Sequence, residues 1–197
     1  MALVACSEAN VDGGGGGTTT SASGTSTVAS TGAPSSSTGM ATSTGSTSSG
    51  GPGGVVINEM SGAGDDYIEL FNAGSDTADL SGLRVADQES PGVPKLADAV
   101  ELPPGTTLPK GAYLFILGGV KDPVGGPVTD CAPGPAPCFQ AGFKLSNASG
   151  DAGVPRRAGD KILEQDTYPG GLADGSTWSR LPNGVGLFGE GDATPGA

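Results

Sequence analysis

Apolar and polar positions follow two regimes along this chain, and the regimes meet near residue 54. From Val55 onward, short runs alternate with a period of two, as in VVINEM (55–60) and DYIELFN (66–72). Successive side chains of a strand point to opposite faces, so this period predicts half-buried strands. Further runs follow at LRVAD (83–87), AVEL (99–102), AYLFIL (112–117), FKLSN (143–147), KILEQDTY (161–168) and TWSRL (177–181). Turn residues fill the gaps: SGAGD at 61–65, Pro-Gly at 91–92, Pro-Pro-Gly at 103–105, Gly-Gly at 118–119 and 125–126, and Asn-Gly at 183–184. No stretch carries a convincing 3.6-residue period. Short strands between Gly and Pro turns predict an all-β sandwich of seven to nine strands over residues 55–197. AYLFIL is apolar on both faces, which predicts a central strand buried between two layers.

The preceding segment has no such pattern. Between Ser7 and Gly54, 35 of 48 residues are Ser, Thr or Gly, and only Glu8 and Asp12 are charged. Such a segment has too little apolar surface to offset the entropy of ordering its backbone, and it is expected to be a disordered tether. As a coil it would hold its ends roughly 35–42 Å apart and could stretch to about 160 Å. The expected organisation is therefore residues 1–6 as a leader remnant, 7–54 as the tether and 55–197 as the sandwich. A free disordered tail, or a site for O-linked sugars, is the alternative reading of 7–54.

The first residues, MALVAC, add an anchor to this picture. LVAC (Leu3 to Cys6) resembles a bacterial lipobox, in which the cysteine is acylated and the chain is cleaved just before it. The resemblance implies that Cys6 carries the lipid, and two or three acyl chains on one residue suffice for stable anchoring. A secretory signal also needs a basic n-region and an apolar h-region of about 7–15 residues. Only Met1 to Ala5 precede the cysteine here. The lipid reading therefore requires a start codon upstream of Met1 or a fragmentary sequence, and an incidental cysteine is the alternative. No run approaches about 18 consecutive apolar residues.

Charge narrows the partners. The chain carries 21 acidic and 9 basic residues, no His, and a net charge of −12. Phosphate contacts need a basic stripe, so a nucleic-acid partner is excluded from the expectation. The acidity itself reads as solubility.

With these residues in view, the chain resembles the lamin-tail domain, an immunoglobulin-like β-sandwich found also in secreted and surface bacterial proteins. The opening Ile-Asn-Glu strand of that family is matched by Ile57, Asn58 and Glu59. Its (W/Y)IEL(Y/F)N strand is matched by Tyr67 to Asn72, and its LSG(W/L) turn by Leu80, Ser81, Gly82 and Leu83. LPPGTTLPKGAYLFI (102–116) resembles its proline-rich turn before a buried strand, and Phe143, Leu145, Ser146 and Asn147 resemble its F-x-LSN element. The closing motif is matched by Trp178, Arg180, Pro182, Gly184 and Thr194 to Gly196. Two segments depart from the pattern: 119–142, which reads as an inserted loop, and GDAGVPRRAGDKIL, where Arg156-Arg157 breaks the expected alternation. The resemblance implies structural roles for Asn58, Glu59, Glu69, Asn72, Leu80, Gly82, Trp178 and Arg180. Glu59 and Glu69 are expected to accept hydrogen bonds from backbone N–H groups or from Arg180, and Asn58 and Asn72 to satisfy turn backbone.

Few residues suggest chemistry. Cys131 and Cys138 enclose CAPGPAPC's six inner residues, three of them proline, and in an exported protein such a pair reads as a disulfide. Redox catalysis usually needs Cys-X-X-Cys at a helix N-terminus, and zinc needs more His or Cys than the chain has. Asp65, Asp66 and Asp87 are weak calcium candidates, lacking the spacing of an established calcium loop. A hydrolase would need two carboxyls across a cleft, roughly 5–10 Å apart, and the acids here lie mainly in turns or at structural strand positions. Arg156-Arg157 reads as an exposed loop pair; Trp178 and Tyr168 read as core or, alternatively, as a platform for carbohydrate. No cofactor is implied. The sequence thus predicts a non-enzymatic bacterial cell-envelope lipoprotein, membrane-bound through Cys6, that presents one binding or adhesion module to an unknown envelope or extracellular protein or polysaccharide. The alternatives are an accessory domain that recruits a secreted hydrolase, and a small carboxylate-dependent hydrolase.

Overall fold

The structure is a computed structural model that describes residues 54–157 and 161–197. Cys6 and the Ser/Thr/Gly segment lie outside the described residues. The chain runs through β1 (Val55–Ser61), β2 (Tyr67–Asn72), β3 (Ala78–Asp79), β4 (Arg84–Ala86), β5 (Gln88–Ser90) and β6 (Val93–Pro94). A 3-10 turn at Leu96–Asp98 leads to β7 (Val100–Glu101), β8 (Thr107–Leu108), β9 (Tyr113–Leu117) and β10 (Phe139–Gln140). Then come β11 (Asp151–Arg157), β12 (Lys161–Ile162), β13 (Asp166–Tyr168), β14 (Ser176–Leu181) and β15 (Leu187–Asp192). These make two main layers. One is a six-stranded sheet in the order β10-β9-β2-β1-β14-β15; the other orders β12-β11-β4-β7, with β13 also paired to β11. The architecture is the immunoglobulin-like sandwich that the sequence predicts.

The strand faces follow from the apolar pattern, with one correction by a bulge. The β1–β2 register shifts between Ile57 and Glu59, so that Asn58 is the extra residue. A bulge resets which face the following residues take, and Ile57 and Met60, three apart, both join the core. Opposite them β2 supplies Ile68 and Leu70, and β9 supplies Leu114 and Ile116. The second layer contributes Val85, Val100 and the flanking Leu80, Leu83 and Leu102. The layers meet where β11 is smallest. A Cβ on Gly153 would stand 3.0 Å from Met60 Sδ and 3.3 Å from the Cδ1 atoms of both Ile57 and Ile68. Glycine is thus what allows the backbone of β11 to lie against β1 and β2.

YLFIL of this run forms β9 with its three middle residues buried, although it lies next to the sheet edge rather than in a central strand. Its burial on the outward side comes from the segment read as an inserted loop. Cys131 and Cys138, disulfide-bonded with Cα atoms 5.8 Å apart, pack with Tyr67 and Phe115 into a second small core. Gly134 lies so close that a Cβ there would collide with the Phe115 ring. Covering a large aromatic in this way contributes about 1.5–3 kcal/mol. The loop is therefore a roof on the outer face of the six-stranded sheet.

Three other expectations change. FKLSN forms no strand; Phe143 and Leu145 are buried, and Asn147 replaces the ladder by donating to Leu172 O (3.0 Å) and accepting from Leu172 N (2.9 Å). KILEQDTY splits into β12 and β13, because Glu164 turns inward to the buried ion pairs described below. Arg156 and Arg157 lie in a strand rather than a loop: Arg156 is buried, and Arg157 is exposed and donates to Asp79 O at 2.9 Å. A long guanidinium side chain spans a half-covered strand position that a shorter charged residue would leave unpaired.

Candidate functional site

On the outer face of the six-stranded sheet, Glu59 of β1 and Glu69 of β2 are direct cross-strand partners, both wholly buried. Two carboxylates in such positions repel, and each needs donors. The C-terminal segment supplies them by passing from β15 across the sheet. Thr194 donates its N–H (3.1 Å) and its hydroxyl (2.9 Å) to Glu59, and Gly196 donates its N–H to Glu69 at 2.5 Å. Tyr67 adds a short hydroxyl hydrogen bond to Glu59, and Asn58 Nδ2 donates to Glu69 at 3.0 Å. Burial nonetheless dominates at Glu69. Desolvation lifts its carboxyl from 4.5 to about 7 against the opposing bonds from Gly196 and Asn58, with a further push from Glu59. The Tyr67 hydroxyl is pushed up by the same burial and by its bond to Glu59.

Arg180 occupies the other face of the sheet. In β14, Ser179 pairs with Glu59, and Arg180, one residue on, points to the opposite side. Its Nη2 lies 2.6 Å from Glu164 and 3.3 Å from Asp166, its Nε donates to Ile57 O at 2.8 Å, and its Nη1 donates to Gly186 O at 3.1 Å. Glu164 also accepts the Ile57 N–H at 2.6 Å, and the Phe188 ring centre lies 4.4 Å from the guanidinium carbon. Arg180 thus serves Glu164 and Asp166, while Glu59 and Glu69 are held by backbone, amide and hydroxyl donors. Sequence reasoning misses Glu164 and Asp166 because they sit in a run that reads as one strand. The available signal is Arg180 itself, at an inward strand position where burial demands acidic partners.

The remaining motif residues serve the same frame. Asn58 accepts Gly184 N–H at 2.9 Å, tying β1 to the turn after β14. Asn72 donates to Asp76 O and Leu108 O, both at 2.8 Å, and accepts Gly74 N–H at 2.9 Å. Leu80 is in the core, and Gly82 takes a φ of 69°, a left-handed turn position that favours glycine. Trp178 is half-buried and packs on the core across from Met60; Tyr168 is wholly buried, so neither forms an exposed platform. Of the calcium candidates, Asp65 is exposed, Asp66 lies in the field of Lys144, Asp151 and Asp65, and Asp87 in that of Lys95, Asp151 and Asp98. Among the described residues no three His, Cys, Asp or Glu side chains form a set suited to a metal ion. Desolvation raises Asp66 and lifts Asp87 to about 6.

One open groove among the described residues lies elsewhere. It has a volume of about 550 Å³, runs beside the disulfide roof and is lined by Leu108, Tyr113, Pro127, Pro135, Pro137 and Phe139 among others. No carboxylate, lysine, arginine or cysteine lines it. Glu59, Glu69, Glu164 and Asp166 are thus buried among their donors, and this groove bears apolar and hydroxyl groups.

No curated protein matches the chain. A family model described as Lamin Tail Domain matches residues 48–166, a span that ends at the start of β13.

Proposed function

This chain belongs to the lamin tail domain family, whose immunoglobulin-like domains are in general non-catalytic, and on that premise we propose a non-enzymatic binding or adhesion module. In this reading the protein is a bacterial surface lipoprotein: Cys6 carries the lipid, residues 7–54 form the tether, and the sandwich is held out from the membrane. The observation that supports it is the sealing of the one close cross-strand carboxylate pair described above. The close carboxylate pair on the outer sheet face, Glu59 and Glu69, is roofed by Thr194 to Gly196, while the groove carries no acid to work with a base. A hydrolase built on carboxylates needs both groups facing one cleft, and this pair faces none, so Glu59 and Glu69 serve the fold.

The test is the intact mass of the mature protein from its host, with Cys6→Ser and detergent-phase partitioning alongside. A chain beginning at Cys6 with the mass of two or three acyl groups, which leaves the membrane fraction in the variant, is the expected result. A soluble chain that retains Met1 overturns the anchor and the envelope assignment together.

A further inference from the structure

The edges of the two main sheets differ greatly in length. β10, β12 and β7 are two residues long, whereas β15, which among the described residues has no strand beyond it in the six-stranded sheet, has six. Natural edges are usually protected by shortness, Pro, charged side chains, a bulge or a covering segment. β15, LFGEGD, has only the charges of Glu190 and Asp192 among these, and its register to β14 runs unbroken from Leu187↔Leu181 to Asp192↔Ser176. The Ala193 N–H donates to Gly175 O at 3.1 Å, which continues that register and fixes its phase. Antiparallel hydrogen-bonded pairs alternate. Leu187, Gly189 and Gly191 therefore turn their backbone groups to β14, and Phe188, Glu190 and Asp192 turn theirs outward.

The side chains describe what fits beside that edge. Leu187 is 79% exposed, Leu181 across from it 59%, and Val185 in the connecting turn 76%, forming an apolar corner at one end. Beyond Leu187, the same face carries only Gly189 and Gly191. A Cβ at Gly189 would meet nothing within 4 Å, and one at Gly191 makes only ordinary contacts at 3.6 Å. Bulky side chains of an added strand thus have room on this face. The other face presents Glu190 and Asp192, both exposed, on a chain with a net charge of −12.

We propose that the β15 edge binds an extended segment of a partner protein in which bulky apolar side chains alternate with Lys or Arg. Main-chain hydrogen bonds at Phe188, Glu190 and Asp192 supply affinity, and the alternating side chains supply selection. A second copy of this chain fits worse, since pairing β15 with itself brings Glu190 and Asp192 of both copies onto one strongly acidic ribbon. The inference rests on the binding-module reading and gives its partner a chemistry.

The test uses the full chain and a capped peptide of about ten residues alternating Val or Tyr with Lys, beside its sequence-scrambled and its Glu-for-Lys forms. Binding is followed by anisotropy, and amide exchange is read at β15. The alternating basic peptide is expected to bind about tenfold or more tightly than either control, with new protection at Phe188, Glu190 and Asp192. Leu187→Lys, at a position exposed enough to leave the fold intact, and Asp192→Lys are each expected to weaken it. Equal binding of all three peptides, or protection confined to other strands, overturns the proposal. So does a concentration-dependent dimer protected at β15, which would make a second copy the occupant. Envelope proteins or polymers that are still captured, equally by wild type and Leu187→Lys, would show that the module binds while the β15 proposal fails.

Discussion

Glu69 is wholly buried, and its carboxyl is lifted from 4.5 to about 7 chiefly by desolvation. In the unfolded chain it titrates near its ordinary value, so the folded state holds the proton more tightly. Stability from this group is full below about pH 4.5, falls as pH rises through the window from 4.5 to 7, and is level above it. At about 1.36 kcal/mol per unit, the loss across that window is about 3 kcal/mol. Asp87, raised from 3.8 to about 6 by the same cause, acts with the same sign in a lower window. Asp79 is lowered by its bonds from Ser81 and titrates below the window, where it does not mask the trend. Urea unfolding followed by Trp178 fluorescence between about pH 4.5 and 8 therefore measures a protein more stable in acid than at neutrality. Glu69→Gln is expected to remove most of the slope while leaving the shares of Asp87 and Asp66, which act with the same sign and which Asp87→Asn and Asp66→Asn each reduce. Stability that is constant or rising from about pH 5 to 7, or a slope unchanged in Glu69→Gln, would refute the assignment of Glu69 as a desolvated carboxyl.

Two further outcomes test the supports of the fold. Arg180→Met leaves Glu164 and Asp166 buried without their guanidinium and should cost about 3–5 kcal/mol in urea unfolding; a loss under about 1 kcal/mol would show that the cluster is not what joins β14 to β13. Reducing Cys131–Cys138 is expected to cost less than the ~2.5 kcal/mol of loop closure, because three prolines already stiffen the loop, with increased solvent access at Tyr67 and Phe115. Unchanged exchange at β9 after reduction would argue against the roof over the outer face.

Much of the domain is written locally. Alternation in VVINEM, DYIELFN and TWSRL specifies strands because side-chain period and strand geometry are the same property. The turn from Leu80 to Leu83 is equally local, since a φ of 69° selects glycine at Gly82. The pairing of Cys131 with Cys138 was legible from their short separation. The partners of the buried charges were not. Arg180 meets Glu164 and Asp166 across 16 and 14 residues, whereas Thr194 and Gly196 return to Glu59 and Glu69 across 135 and 127. No periodicity encodes such separations; they depend on which face each strand presents after the bulge at Asn58 shifts the count by one. The same holds for the roof on β9 and for the place of β15 at the end of its sheet among the described residues. Sequence alone determined the apolar-faced strands at VVINEM, DYIELFN and TWSRL and the small disulfide loop. Only the tertiary structure decided what covers each face and which strand ends each sheet, because covering a face is a contact between distant segments and changes the energy only once they meet.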